Sequence, residues 1–131
     1  MKSMKCLSVQ QPWANMIASG LKTIETRKWW TPYRGELLIC SSRKPAIEPA
    51  GQAICIVTLV DCRRLTPRDA LAAQCQDCPY AGLPLEEWPR AMCCPDLPGV
   101  PLYAWVLENI RLVVPFPVRG QLGIFEVEIP Q

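Results

Sequence analysis

The chain has 131 residues, half of them apolar and 20% charged, which fits a single globular domain over 1–131 and excludes extended disorder. It has no histidine, which excludes a His general base, a Ser-His or Cys-His nucleophile pair and any His-containing metal site. The net charge is only +2, but residues 1–44 carry eight basic against two acidic side chains and residues 45–131 carry six against ten.

Residues 4–9 alternate and predict a first strand. Pro12 suits the opening turn of a helix, Trp13, Met16 and Ile17 share one apolar face, and Gly20 supplies the stop, so a short helix is expected over 12–19. Residues 22–29 predict a second strand, with Ile24 inward and Glu25 and Arg27 together on the opposite face by the two-residue period. Thr31 to Gly35 reads as a turn, Glu36 to Cys40 as a buried strand and 41–51 as a loop. The run from Gln52 to Cys62 is the most apolar and is expected to be central. Thr66 and Pro67 start a short helix reaching about Ala73. Six prolines between 76 and 101 preclude a regular helix or central strand there. This Pro/Cys-rich excursion, about 75–101, is expected to be ordered around Trp88. Residues 103–113 read as a strand, 115–117 as an edge segment, Gly120 as a turn and 123–129 as the closing strand. Six or so strands with two short helices predict a mainly β fold with short helices (α+β), closed or nearly closed into a small barrel.

The basic stretch also holds Trp13, Trp29, Trp30 and Tyr33. Cations for phosphate and rings for bases make the composition of a nucleic-acid surface, and uneven surface charge around core tryptophans gives the same composition. Trp29 and Trp30 are adjacent, so at most one ring is core, and the other covers a barrel end or stacks on a base. Ser41-Ser42-Arg43-Lys44 ends a buried strand with two hydroxyls and two cations, the makings of a phosphate contact or of a solvated loop. Ser8 and Gln11 flank the helix start and cap it or touch a ligand. Trp105 reads as core.

Cys6, Cys40, Cys55 and Cys62 lie in or beside apolar runs and read as small buried hydrophobes. Cys75, Cys78, Cys93 and Cys94 are spaced closely enough to hold a structural zinc. The adjacent pair and the prolines weigh against it, so free thiols or a disulfide formed on exposure are the alternative and no cofactor is the base expectation. No apolar run approaches a membrane span and no secretory leader pattern opens the sequence, so a cytoplasmic monomer without membrane contact is expected.

The densest chemical cluster is Gly20-Leu21-Lys22-Thr23-Ile24-Glu25-Thr26-Arg27. A cation, a carboxylate and a guanidinium fall within one side-chain length of one another. Such a group orients a polar ligand by charge-assisted hydrogen bonds, or is a strand face of ordinary surface ion pairs.

Cys6 to Ala14 (CLSVQQPWA), Gly20 to Arg27, Thr31 to Gly35, and Ala104 to Asn109 followed by Pro117 to Gly120 together resemble the ASCH family. Its signature G-x-K-x-x-E-x-R is met at Gly20, Lys22, Glu25 and Arg27. The resemblance runs from about Lys5 to Gln131, with 63–101 unmatched. It implies a PUA-like β-barrel with a cleft beside the first helix that receives nucleic acid and is lined by Lys22, Glu25 and Arg27. One branch of the family hydrolyses N4-acetylcytidine with a Lys, a Thr and a Glu. The Lys matches Lys22, but Glu25 stands where that Thr falls, and no Glu in 45–101 matches the third position. A ribonuclease role proposed for other relatives would use Lys22 as the cation and Glu25 as the base.

The expectation is therefore binding of RNA or a nucleotide fragment by Lys22, Glu25, Arg27, Ser8, Trp13, Tyr33, Ser41 and Arg43. The alternatives are a small amidohydrolase acting on an N4-acylated cytidine-type nucleoside with Lys22 and Glu25 as catalytic residues, a ribonuclease, and a protein-interaction module presenting 76–101.

Overall fold

The computed structural model describes residues 2–73 and 102–130. The elements run β1 (Lys2–Val9), helix α1 (Trp13–Ser19), β2 (Ile24–Arg27), β3 (Gly35–Ser41), β4 (Gln52–Arg64), a 3-10 turn (Pro67–Asp69) leading into α2 (Ala70–Ala73), then β5 (Tyr103–Pro117) and β6 (Ile124–Ile129). All six strands lie in one sheet, in the order β2-β5-β4-β3-β1-β6. β1 and β3 are parallel and the other pairs are antiparallel. β4 lies inside the sheet, as its apolar run predicts.

The two-residue period splits the apolar residues between two clusters. Leu7 and Val9 of β1, Leu37 and Ile39 of β3, Val57 and Leu59 of β4, and Trp105 and Leu107 of β5 pack with Ala14 and Ile17 of α1. The alternate residues Cys6, Leu38 and Cys40 pack with Ala53, Val118 and Phe125. A strand buried on both faces reads as an unbroken apolar run, and β3 is one. Cys6, Cys40, Cys55 and Cys62 are free and buried as expected, and burial pushes the Cys55 thiol up to about 12.

α1 is stopped by Gly20, whose φ of +87° suits a residue without a β-carbon and whose N–H donates to the Ile17 carbonyl. Gln11, 2% exposed, locks the start of the helix to the sheet. Its Oε1 accepts the Asn15 N–H at 3.0 Å and its Nε2 donates to Ser41 Oγ at 3.0 Å. Gln11 is thus the capping residue of the pair considered from sequence, while the Ser8 hydroxyl bonds to the Cys40 thiol.

Two strands differ from expectation. The second is only Ile24–Arg27, because the chain then leaves the sheet. The Trp29 carbonyl accepts from Trp105 Nε1 at 3.3 Å, and Trp30 Nε1 donates to the Cys62 carbonyl at 2.9 Å. The expected strand 103–113 and edge segment 115–117 are one strand. β2 pairs with β5 only at 103–106, so Pro115 and Pro117 sit beyond it, where a missing N–H breaks no ladder with β2. Three register shifts between β4 and β5 let the two longest strands coil, and Asn109, with φ +55°, lies at one of them.

Strand pairing leaves the sheet open, with β2 and β6 at its ends. The sheet nevertheless curls enough to bring its two halves into contact. Arg27 of β2 donates to the Ser8 carbonyl of β1 at 2.9 Å, and a β-carbon on Gly123, just before β6, would lie 4.0 Å from the Trp29 ring. No described helix is long and apolar enough to cross a membrane. The Pro-rich excursion, Trp88, and the candidate zinc set Cys75, Cys78, Cys93 and Cys94 lie outside the described residues.

Candidate functional site

The charged motif begins where α1 ends. Gly20 reverses the chain, and Lys22 N–H donates to the Met16 carbonyl, which places the Lys22 side chain at the entry to β2. Its Nζ donates to the Ala73 carbonyl of α2 and lies 3.5 Å from Glu25 Oε1. The other oxygen, Glu25 Oε2, accepts from Arg27 Nη2 at 2.7 Å and from Arg27 Nε at 3.1 Å. Each carboxylate oxygen therefore has its own cation. Arg27 and Glu25 share a face by the strand period, as expected. That face is the interior one, since Glu25 stands across from Trp105, which is fully buried. Ile24 on the other face is buried too, so β2 has no solvated side, and the reading in which Ile24 alone points inward is corrected. The backbone of α2 supplies the reason: Ala72 accepts the Thr23 N–H at 2.8 Å, so a helix covers the edge of this strand.

The triad is thus a brace. Lys22 and Glu25 are 2% and 7% exposed, and among the described residues no buried side-chain nitrogen or oxygen lacks a partner. Charges removed from water this far are tolerated because each is met by an opposite charge or a carbonyl. Arg27 is the member that reaches outward. Its side chain is 24% exposed, and Nη2 links Glu25 to the Ser8 carbonyl.

Ser8 leads from the brace to a cleft. The cleft, about 310 Å³, is lined by Ser8, Ser41, Ser42, Arg43, Gly51, Val118, Gly120, Gln121 and Leu122. Its walls are stitched by backbone bonds: Ser42 N–H to the Val9 carbonyl, Gly51 N–H to the Ser41 carbonyl and Val118 N–H to the Gly51 carbonyl. Three of the residues expected at a ligand site, Ser8, Ser41 and Arg43, therefore line one recess. Tyr33 and Trp13 are not among its lining residues. Tyr33 sits in the turn before β3, its hydroxyl donating to the Glu36 carbonyl at 2.5 Å, and Trp13 packs half-buried on the core.

A family profile described as the ASCH domain matches residues 7–119. The chain belongs to the ASCH domain family. Its sequence is 27% identical over 132 residues to human activating signal cointegrator 1, covering 94% of this chain and 22% of that protein. Against the mouse protein of the same name it is 49% identical over 39 residues, 30% of this chain and 7% of that one. The chain thus spans about a fifth or less of the curated relatives it matches. Among solved structures, the ASCH protein of Zymomonas mobilis superposes with a TM-score of 0.59 at 13% identity, covering 95% of this chain and 87% of that one. A tyrosine-to-phenylalanine mutant of the same protein gives 0.62 at 14% identity, covering 95% and 89%. The likeness is one of fold, a PUA-like β architecture.

Within this ASCH domain, sequence reasoning offered Ser42 beside Arg43 as a phosphate contact and missed Gly51 and the 118–122 segment. The glycine carries no signal of its own in a loop. The segment becomes part of the site only because β5 coils back onto the β3 end. The paired tryptophans divide as expected into two environments. Trp29 stands edge-on to Trp105, ring centres 4.6 Å apart, and Trp30 lies under Arg34 of the turn. Both remain partly exposed, at 38% and 50%, so neither is core and Trp105 is. No group of three or more Cys, Asp or Glu that could hold a metal occurs among the described residues.

Proposed function

We propose that this ASCH domain binds RNA or a nucleotide fragment in the cleft between the ends of β1, β3 and β5. The reading is carried by one residue, Ser8, whose carbonyl holds Arg27 of the signature motif while the residue lines the cleft beside Ser41, Ser42 and Arg43. ASCH domains are generally linked to RNA binding. Arg43 lines the cleft, and no acidic residue is among its described lining residues, which gives it the sign that a phosphate backbone requires. Lys22, Glu25 and Arg27 are not among the cleft's lining residues; on this reading they hold the architecture, and Arg27 is linked to the cleft through the Ser8 carbonyl. The hydrolytic alternative needs Lys22 to reach a substrate, whereas its Nζ is engaged by Ala73 and Glu25 in the interior.

Fluorescence polarisation with a short labelled single-stranded RNA tests the proposal. Wild-type protein is expected to bind, and Arg43→Ala to bind more weakly with an unchanged melting curve. The reading is overturned if wild type binds no RNA, or if it releases acetate from N4-acetylcytidine in a reaction abolished by Lys22→Ala.

A further inference from the structure

Arg43 has no hydrogen-bond or ion-pair partner among the described residues, although most arginines around it do. Arg27, Arg34, Arg63 and Arg111 each engage a carboxylate or a carbonyl. Arg43 is exposed, and its stem passes close over Gly51, where a β-carbon would meet Arg43 Nε at 3.0 Å and Cγ at 3.1 Å. Gly120 lies similarly close to Ser8, whose Oγ would lie 3.4 Å from a β-carbon there. Two polar side chains thus lie close to two glycines at a recess that has no acidic residue among its described lining residues. A guanidinium presents a rigid fork of five N–H donors, which matches the oxygens of a phosphate.

We infer that this cleft is a subsite for a terminal phosphate monoester of a nucleotide or short RNA, with Arg43 as its charge partner and Ser8 and Ser42 as hydroxyl donors. The inference rests on the nucleotide-binding reading and narrows it. Size and shape select the terminal group. About 310 Å³ is at the small end for a ligand pocket and fits roughly one nucleotide. An internal phosphate of a duplex lies on a convex backbone and is met by protruding cations, whereas Arg43 lines a recess. A monoester also carries about −1.5 to −2 charge and three free oxygens, which suits one guanidinium and two hydroxyls better than a diester does.

The test compares the same single-stranded RNA with a 5′-phosphate, a 3′-phosphate or hydroxyls at both ends, by fluorescence polarisation against wild type and Arg43→Ala. Wild type is expected to favour one phosphorylated form by about tenfold or more, the worth of a charge-assisted pair. Arg43→Ala should bring that ratio to about one, weakening the phosphorylated form more than the hydroxyl form, and Arg43→Lys should restore part of it. Inorganic phosphate should likewise lower the ratio towards one. Equal affinity of wild type for all three RNAs overturns the subsite and leaves the RNA-binding reading standing. If no RNA binds, the RNA reading falls and a nucleoside monophosphate decides the subsite. Binding to wild type but not to Arg43→Ala upholds it, and no binding sinks it.

Discussion

Glu25 is the pivot of the buried charges, because it alone separates two cations. Glu25→Gln leaves Lys22 in the interior with a carbonyl but no counter-charge. Unpairing a buried ion in this way costs about 3–5 kcal/mol, to be read as a lowered urea midpoint. Replacing Lys22 by Met in the same chain should recover part of the loss, since the double variant buries no lone charge; a double variant less stable than Glu25→Gln contradicts the brace. The spacing of these residues was legible, because positions 25 and 27 of a strand share a face whatever surrounds them. Their burial was not. It depends on Ala72 and Ala73 presenting carbonyls to β2, and nothing in two alanines announces that contact.

The helical turn that supplies those carbonyls is itself set by four residues. Thr66 N–H and Oγ1 donate to Asp69 Oδ2 at 2.8 and 3.1 Å, and Asp69 N–H donates to the Thr66 carbonyl, so the carboxylate supplies one half of a capping box. Burial alone would raise the Asp69 carboxyl, but the Arg63 guanidinium and the Thr66 donors outweigh it and hold it below the ordinary carboxylate range. A lowered carboxylate stabilises the fold above its unfolded-state range, and the contribution is lost as pH falls through the folded value. Asp69→Asn should therefore cost about 1–3 kcal/mol at neutral pH. The gap to wild type should close as melts are repeated at pH 5, 4 and 3; a gap that stays constant with pH contradicts this account. Other elements were harder to read. The prolines of 115–117 suggested an edge piece, and only the short reach of β2 shows why β5 runs through them. The length of β2 was overread because Trp29 and Trp30 suit a strand but bond away from the sheet.

Across the whole molecule, charge and curvature act together. The basic N-terminal third includes Arg27 and Arg43, and the coiled β4–β5 pair brings 118–122 around to face them. Mainly β architecture was evident from the many short runs and few helices. The cleft was not, because its two groups of lining residues, 8–51 and 118–122, are 67 residues or more apart in sequence. RNA affinity should fall linearly with salt on logarithmic axes, and Arg43→Ala should flatten the slope by about 0.7, the value of one phosphate contact on a single strand. A slope unchanged by this variant, measured from 50 to 300 mM salt, would place the phosphates elsewhere on the surface.

Gly51 contributes to this surface by what it omits. With φ at +70° and the Arg43 stem packed on its Cα, it is constrained once by its backbone and again by its neighbour. Alanine there would strain the backbone and push the guanidinium aside in the same step, so stability and anion affinity should fall together. A position bearing no chemical group would then rank, in any mutational survey, beside the arginine that depends on it.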